Sequence, residues 1–196
     1  MPVNPWDPTR WSGVSSSGCG VATAAGLCFA SVGTDTGGSI RYPCAANGCV
    51  GLKPTYGRVS RYGVFALAAS MDHIGPMPRT VEDAAILFEV MAGIDPHDPS
   101  SLPDPVPSVR AELGRGMAGL RIGFDRRYAT ASVDAEVAEA MDGVLAELTQ
   151  LGATVVSVTM FRDRQRFVER NGAARDALRE VLALDQFHDE RRRRRV

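Results

Sequence analysis

Leu120–Phe124 (LRIGF), Asp134–Leu151 (DAEVAEAMDGVLAELTQL) and Ala153–Val158 (ATVVSV) are the stretches whose order decides the fold class. The first reads as a short strand. In the second, Val137, Ala140, Met141, Val144, Leu145 and Leu148 recur at helical spacing, so one face is apolar. Gly152 stops that helix, and the β-branched run after it suits a strand. Strand, crossover helix and strand make a parallel βαβ unit, and the sequence predicts an α/β protein.

Working back from that unit, Pro96, Pro99, Pro103, Pro105 and Pro107 mark residues 94–118 as an extended connection holding at most a short helix. Residues 1–93 are glycine-dense and carry most of the unusual motifs. There Ser17–Ala30 (SGCGVATAAGLCFA) is small and apolar on nearly every face, which predicts a buried helix. Ser31–Thr34 is a strand candidate. Thr80 reads as the N-cap of an amphipathic helix through Met91, with Glu82 and Asp83 at its positive end and Gly93 ending it. Residues 119–160 hold the βαβ unit of the same domain. Residues 161–196 are expected to give one more helix, over 165–184, and a disordered arginine-rich tail.

The composition is that of a globular chain: 196 residues, 44% hydrophobic and 23% charged, which excludes collagen-like and disordered classes. No apolar run reaches the length of a membrane span, and the opening Met1-Pro2-Val3-Asn4-Pro5 lacks a leader pattern, so a cytoplasmic protein is expected. Arg191–Arg195 place five positives at the end; taking these from the formal charge of −1 leaves about −6 on the rest. An acidic body argues against nucleic acid as a partner, and the terminal run reads as a solvated end. Cys19, Cys28, Cys44 and Cys49 form no C-x-x-C pair and have no histidine near them, so they read as buried free thiols, not a metal site.

Chemistry concentrates in Gly33-Thr34-Asp35-Thr36-Gly37-Gly38-Ser39-Ile40-Arg41. Paired glycines let successive N–H groups converge on one point, and Ser39 follows that nest directly. Such a serine can attack a carbonyl while the N–H groups hold the developing oxyanion. A glycine-rich turn with an incidental serine is the plainer alternative. A phosphate loop is a second rival, but the lysine of G-x-x-x-x-G-K-[ST] is absent, and no serine sits in a G-x-S-x-G elbow, which counts against an α/β-hydrolase. Gly13-Val14-Ser15-Ser16-Ser17-Gly18 precedes the small-residue helix, and taken alone its hydroxyls read as caps.

Together these elements resemble the amidase signature family. Gly-x-Ser-Ser-Ser-Gly, the small-residue helix, Gly33–Pro43 (GTDTGGSIRYP) and Val50–Thr55 (VGLKPT) match its motifs in order. Asn4–Asp7 (NPWD), Tyr56–Ser60 (YGRVS), Asp72–Met77 (DHIGPM) and Arg79–Ala84 (RTVEDA) add to the match. The resemblance is dense from Asn4 to about Ser100 and weaker through Val158. It implies an α/β/α sandwich with a mixed sheet, here incomplete at both ends, and hydrolysis of carboxylic amides through an acyl-serine. It implies no metal or organic cofactor. A close variant is the amidotransferase A-subunit type, which releases ammonia from glutamine.

By motif, Ser39 is similar to the nucleophile and Ser15 to a bridging serine that follows a cis peptide and relays a proton. Thr36, Gly37, Gly38 and Ser39 map onto the oxyanion hole, and Asp35 and Arg41 flank that loop as a brace. The family's base is a lysine upstream of the serine run, whereas only fourteen residues precede Ser15 and none is lysine. Lys53, the single lysine, matches a family position without that role. His73 beside Asp72 is the other conceivable base, but adjacent side chains do not form the linear relay of a triad. Val14 stands where the family often has glycine. Members run to more than twice this length, so the expectation is a fragment, inactive by itself. Its partners are expected to be a small amide substrate and a complementing segment or second copy. A non-catalytic, partner-binding remnant is the alternative.

Overall fold

The computed structural model describes residues 2–159. It divides into two compact units, Met1–Leu113 and one beginning at Gly114. The first contains α1 (Ser17–Ala24), β1 (Ala30–Asp35), α2 (Arg41–Asn47), β2 (His73–Pro78), α3 (Val81–Met91) and α4 (Val109–Glu112). The second contains β3 (Arg121–Phe124), α5 (Arg126–Ala129), α6 (Ala135–Gln150) and β4 (Thr154–Ser157).

In the first unit β1 and β2 pair antiparallel, with Ala30 opposite Pro78, Gly33 opposite Gly75 and Asp35 opposite His73. Val50 N donates to Pro78 O at 2.9 Å and Leu52 N to Pro76 O at 3.1 Å, so a third segment runs along the far edge of β2. This pairing is one-way because prolines have no N–H to return. Gly75 permits it: a Cβ there would lie 2.0 Å from Leu52 O. Below the sheet, Ile40, Cys44 and Met77 form a buried cluster, with Cys19 and Cys49 packed against it.

The small-residue helix is shorter than the sequence predicts. It ends at Ala24, because the chain turns through Gly26 at φ +72° and then enters β1. Nor is it buried on every side: Ser17, Gly20 and Thr23 face inward while Leu27 and Phe29 beyond it are exposed. Of the four cysteines only Cys44 is buried; the others are partly exposed, and all are free. The helix over Val81–Met91 forms as expected, with Thr80 Oγ1 accepting from Asp83 N at 3.1 Å.

The proline-rich stretch is held down along much of its length. Arg58 Nη1 donates to Asp104 O at 2.8 Å, Arg110 N donates to Glu89 Oε1 at 2.9 Å, and the unit boundary falls after Leu113.

In the second unit β3 and β4 pair in parallel, Arg121 opposite Thr154 through Phe124 opposite Ser157, with α6 as the crossover. This is the βαβ unit read from the sequence. The apolar stripe of α6, from Val137 to Leu145, and Phe124 line a shallow groove of about 300 Å³. Among the described residues no helix is long and apolar enough to cross a membrane. The expected helix over 165–184 and the arginine tail lie outside the described residues.

Candidate active site

The loop from Thr36 to Ile40 leaves the end of β1 and enters α2, and a single carboxylate shapes it. Asp35 is fully buried. Its Oδ1 accepts from Gly38 N at 2.8 Å and its Oδ2 from Ile40 N at 3.2 Å and Arg41 N at 3.4 Å. Arg41 closes the arrangement with Nε to Oδ2 at 3.0 Å and Nη2 to Oδ1 at 2.9 Å, a bidentate pair. Burial pushes the Asp35 carboxyl up, but the Arg41 hydrogen bonds and charge and the Gly38 and Ile40 N–H groups outweigh it. The net result lies below the ordinary aspartate value.

Ile40, fully buried beside Cys44 and Met77, anchors the residue next to Ser39. Gly38 has φ +128°, and a Cβ on it would lie 2.3 Å from the Tyr42 ring, so the turn needs glycine there. With Gly38 N–H given to Asp35, the N–H groups of Thr36, Gly37 and Ser39 have no partner among the described residues. Gly37 faces open space. Of the four N–H groups expected at an oxyanion hole, that of Gly38 is the one donated to a side chain here.

The serine run lies against this loop. Ser16 N donates to Ser39 O at 3.3 Å, and Ser16 Oγ accepts from Thr34 N at 3.2 Å. Gly13, at φ +83°, brings the run onto α2, since a Cβ there would lie 2.4 Å from Pro43 Cα. The Val14–Ser15 peptide is cis. Ser15 is exposed and Ser39 partly so, and no hydrogen bond joins their hydroxyls among the described residues. Asn4 and Asn47 fasten the segment before the run: Asn4 Nδ2 donates to Ala46 O at 2.8 Å, and Asn47 Nδ2 to Ser12 O at 2.8 Å.

A second buried carboxylate, Asp72, grips the other limb of the loop. It accepts from the Thr36 hydroxyl, from Leu67 N at 2.8 Å and from Ala68 N at 3.0 Å. Sequence reasoning weighed Asp72 only as a partner for His73, and the two side chains do not pair. His73 Nδ1 instead faces Asp35 O at 3.2 Å and Met71 O, two acceptors that require the proton on Nδ1. Thr36, Asp72, His73, Leu67 and Phe65 line an open cavity of about 340 Å³ beside the loop.

Lys53 is not joined to either serine. Its Nζ donates to Pro54 O at 2.9 Å. Burial, and then the charge of Arg41, lower its pKa, with Asp35 pulling the other way. No group of three or more His, Cys, Asp or Glu side chains among the described residues is arranged to hold a metal.

Comparison with known proteins shows the family. The sequence matches the Amidase family profile over residues 1–178. The putative amidase AmiD of Mycobacterium tuberculosis is 55% identical over 151 residues, 77% of this chain and 31% of that protein. The glutamyl-tRNA(Gln) amidotransferase A-subunit of Trichlorobacter lovleyi is 52% identical over 157 residues, 80% of this chain and 32% of that one. Among solved structures, the glutamyl-tRNA(Gln) amidotransferase A-subunit of Thermotoga maritima aligns with a TM-score of 0.78 at 32% identity, over 96% of this chain and 46% of its own. The native peptide amidase of Stenotrophomonas maltophilia aligns at 0.71 and 38%, over 80% and 32%. The chain spans about a third of the length of the curated relatives it matches. With a serine-bearing loop held by a buried Asp–Arg pair, and a profile match over most of its length, the chain belongs to the amidase signature family.

Proposed function

We propose that this chain carries the serine half of a carboxylic amide hydrolase. Ser39 attacks the amide carbonyl, the N–H groups of Thr36, Gly37 and Ser39 stabilise the oxyanion, and Ser15 passes the proton between Ser39 and a base. Collapse of the intermediate leaves an acyl-serine and releases ammonia or an amine; water then frees the acid. The observation that carries this reading is the Asp35–Arg41 clamp. It commits Gly38 N–H to Asp35 and leaves three neighbouring N–H groups around Ser39 without a partner.

The base is the open position. Lys53 Nζ donates to Pro54 O and bonds to neither serine, so a lysine-bearing segment or partner is expected to supply the base, with little hydrolysis before it does. Similarity to both an amidase and an amidotransferase component leaves two substrate classes, simple carboxamides and glutamine.

Small primary amines supplied in solution test the scheme by standing in for the missing base. Ammonia release from benzamide and from glutamine is measured with and without added ethylamine, for the unaltered chain and for Ser39→Ala and Lys53→Ala. The expected result is amine-dependent release that Ser39→Ala abolishes and Lys53→Ala does not, with the preferred amide naming the class. Equal release by the unaltered chain and Ser39→Ala overturns the proposal and favours a non-catalytic, partner-binding role. Amine-independent release lost in both variants would make Lys53 the base.

A further inference from the structure

In the first unit, the edge segment at Val50–Leu52, α3 and the start of α4 surround a cavity of about 510 Å³. That is within the size range of small-molecule sites. Its wall is apolar, built from Val50, Leu52, Ala84, Phe88 and Val109. Two cations, Lys53 and Arg58, stand on the lining, and none of the described lining residues is acidic.

Neither cation has a carboxylate partner here. Lys53 Nζ makes one hydrogen bond, to Pro54 O, and Arg58 Nη1 is held by the carbonyls of Asp104 at 2.8 Å and Pro105 at 3.3 Å. Asp35, the nearby carboxylate that acts on Lys53, is already bound bidentately to Arg41. Burial, and then the charge of Arg41, lower the Lys53 pKa, and Asp35 offsets them only in part. An apolar chamber with two uncompensated cations at its wall is complementary to a ligand with an apolar body and one anionic end.

We propose that this cavity binds an amphipathic monocarboxylate, with its hydrocarbon chain among Val50, Leu52, Ala84 and Phe88 and its carboxylate on Lys53 and Arg58. The site uses neither Ser39 nor Ser15, so its occupancy is read separately from amide hydrolysis.

Calorimetric titration of the 196-residue chain with hexanoate, octanoate, decanoate and decanol, each below its micelle-forming concentration, tests it. The expected affinity rises about fourfold per added methylene, the equivalent of ~0.8 kcal/mol. Decanol is expected to bind at least about tenfold more weakly than decanoate, the equivalent of ~1.4 kcal/mol. Lys53→Met, which keeps the apolar stem, removes that preference and leaves decanol binding unchanged. Should the variant fail to fold, ionic strength decides on the unaltered chain: added salt weakens decanoate and not decanol. Decanol binding as tightly as decanoate, affinity independent of chain length, or no binding of decanoate overturns the proposal.

Discussion

Arg41 Nε and Nη2 reach the two carboxylate oxygens of Asp35 at 3.0 and 2.9 Å, and the six-residue spacing of the pair encloses the loop that presents Ser39. The aspartate is fully buried and the arginine side chain is 53% exposed, so the charge that gains most from the pair is the one without water. The same carboxylate also takes three backbone N–H groups. Loop shape and charge compensation are therefore one interaction, and they fail together.

Asp35→Asn is the direct test. It removes the anion facing Arg41 and puts an amide NH₂ where two acceptors are needed. Breaking a buried pair from one side costs about 3–5 kcal/mol. Urea unfolding of the two proteins is expected to show a loss of that order.

The pair also gives the protein an acid limit. The native Asp35 pKa lies below its unfolded value, so the native state binds fewer protons and gains stability from the ionised form. That gain is complete above the unfolded carboxylate pKa of about 3.9 and is lost as pH falls through the lower native value. Urea midpoints measured from pH 6 down to pH 2 are expected to fall, and Asp35→Asn is expected to lack this part of the decline.

Asp72→Ala tests the other grip on the loop. It leaves the Leu67 and Ala68 N–H groups and the Thr36 hydroxyl without their acceptor. A loss of about 1 kcal/mol or somewhat more is expected, because only the Ala68 donor is buried and the other two keep some access to water. Faster amide hydrogen exchange at Leu67 and Ala68 would locate the effect.

Gly75→Ala introduces a methyl carbon 2.0 Å from Leu52 O, and the obstacle is backbone that no rotamer relieves. A cost of about 1–3 kcal/mol or more is expected from overpacking, with the Val50–Leu52 edge pushed off β2. Thermal unfolding measures the cost. Exchange at the Val50 and Leu52 amides reports the edge.

The cysteines differ in reactivity for stated reasons. Burial raises the Cys44 thiol to about 12, whereas hydrogen bonding with Ser31 and Thr23 lowers the Cys28 thiol below its ordinary value. Alkylation by iodoacetamide at pH 8, followed by peptide mass spectrometry, is expected to modify Cys28 first and Cys44 last.

Local chemistry made several elements legible beforehand. The α3 helix shows its Thr80 cap, acidic first turn and apolar face within twelve residues, and the hydrogen bond from Asp83 N to Thr80 Oγ1 is that cap. The parallel pair of β3 and β4 across α6 follows from periodicity in one continuous stretch. β2 is the opposite case. Gly75, Pro76 and Pro78 are poor strand residues by propensity, and only pairing with β1, with donors arriving from Val50 and Leu52, makes His73–Pro78 a strand.

The site divides the same way. Ser15, Ser39 and the paired glycines are legible because their spacing forms motifs, and Asp35 and Arg41 because they flank one. The sequence by itself determined which groups the loop contains. Tertiary structure decided which of its N–H groups stay free, since Asp35 takes Gly38 N, and which distant carboxylate holds Thr36, since Asp72 lies 36 residues away. The physical reason is that a motif fixes donors and acceptors along the chain, whereas their partners are assigned only when burial removes water and each polar group must find another.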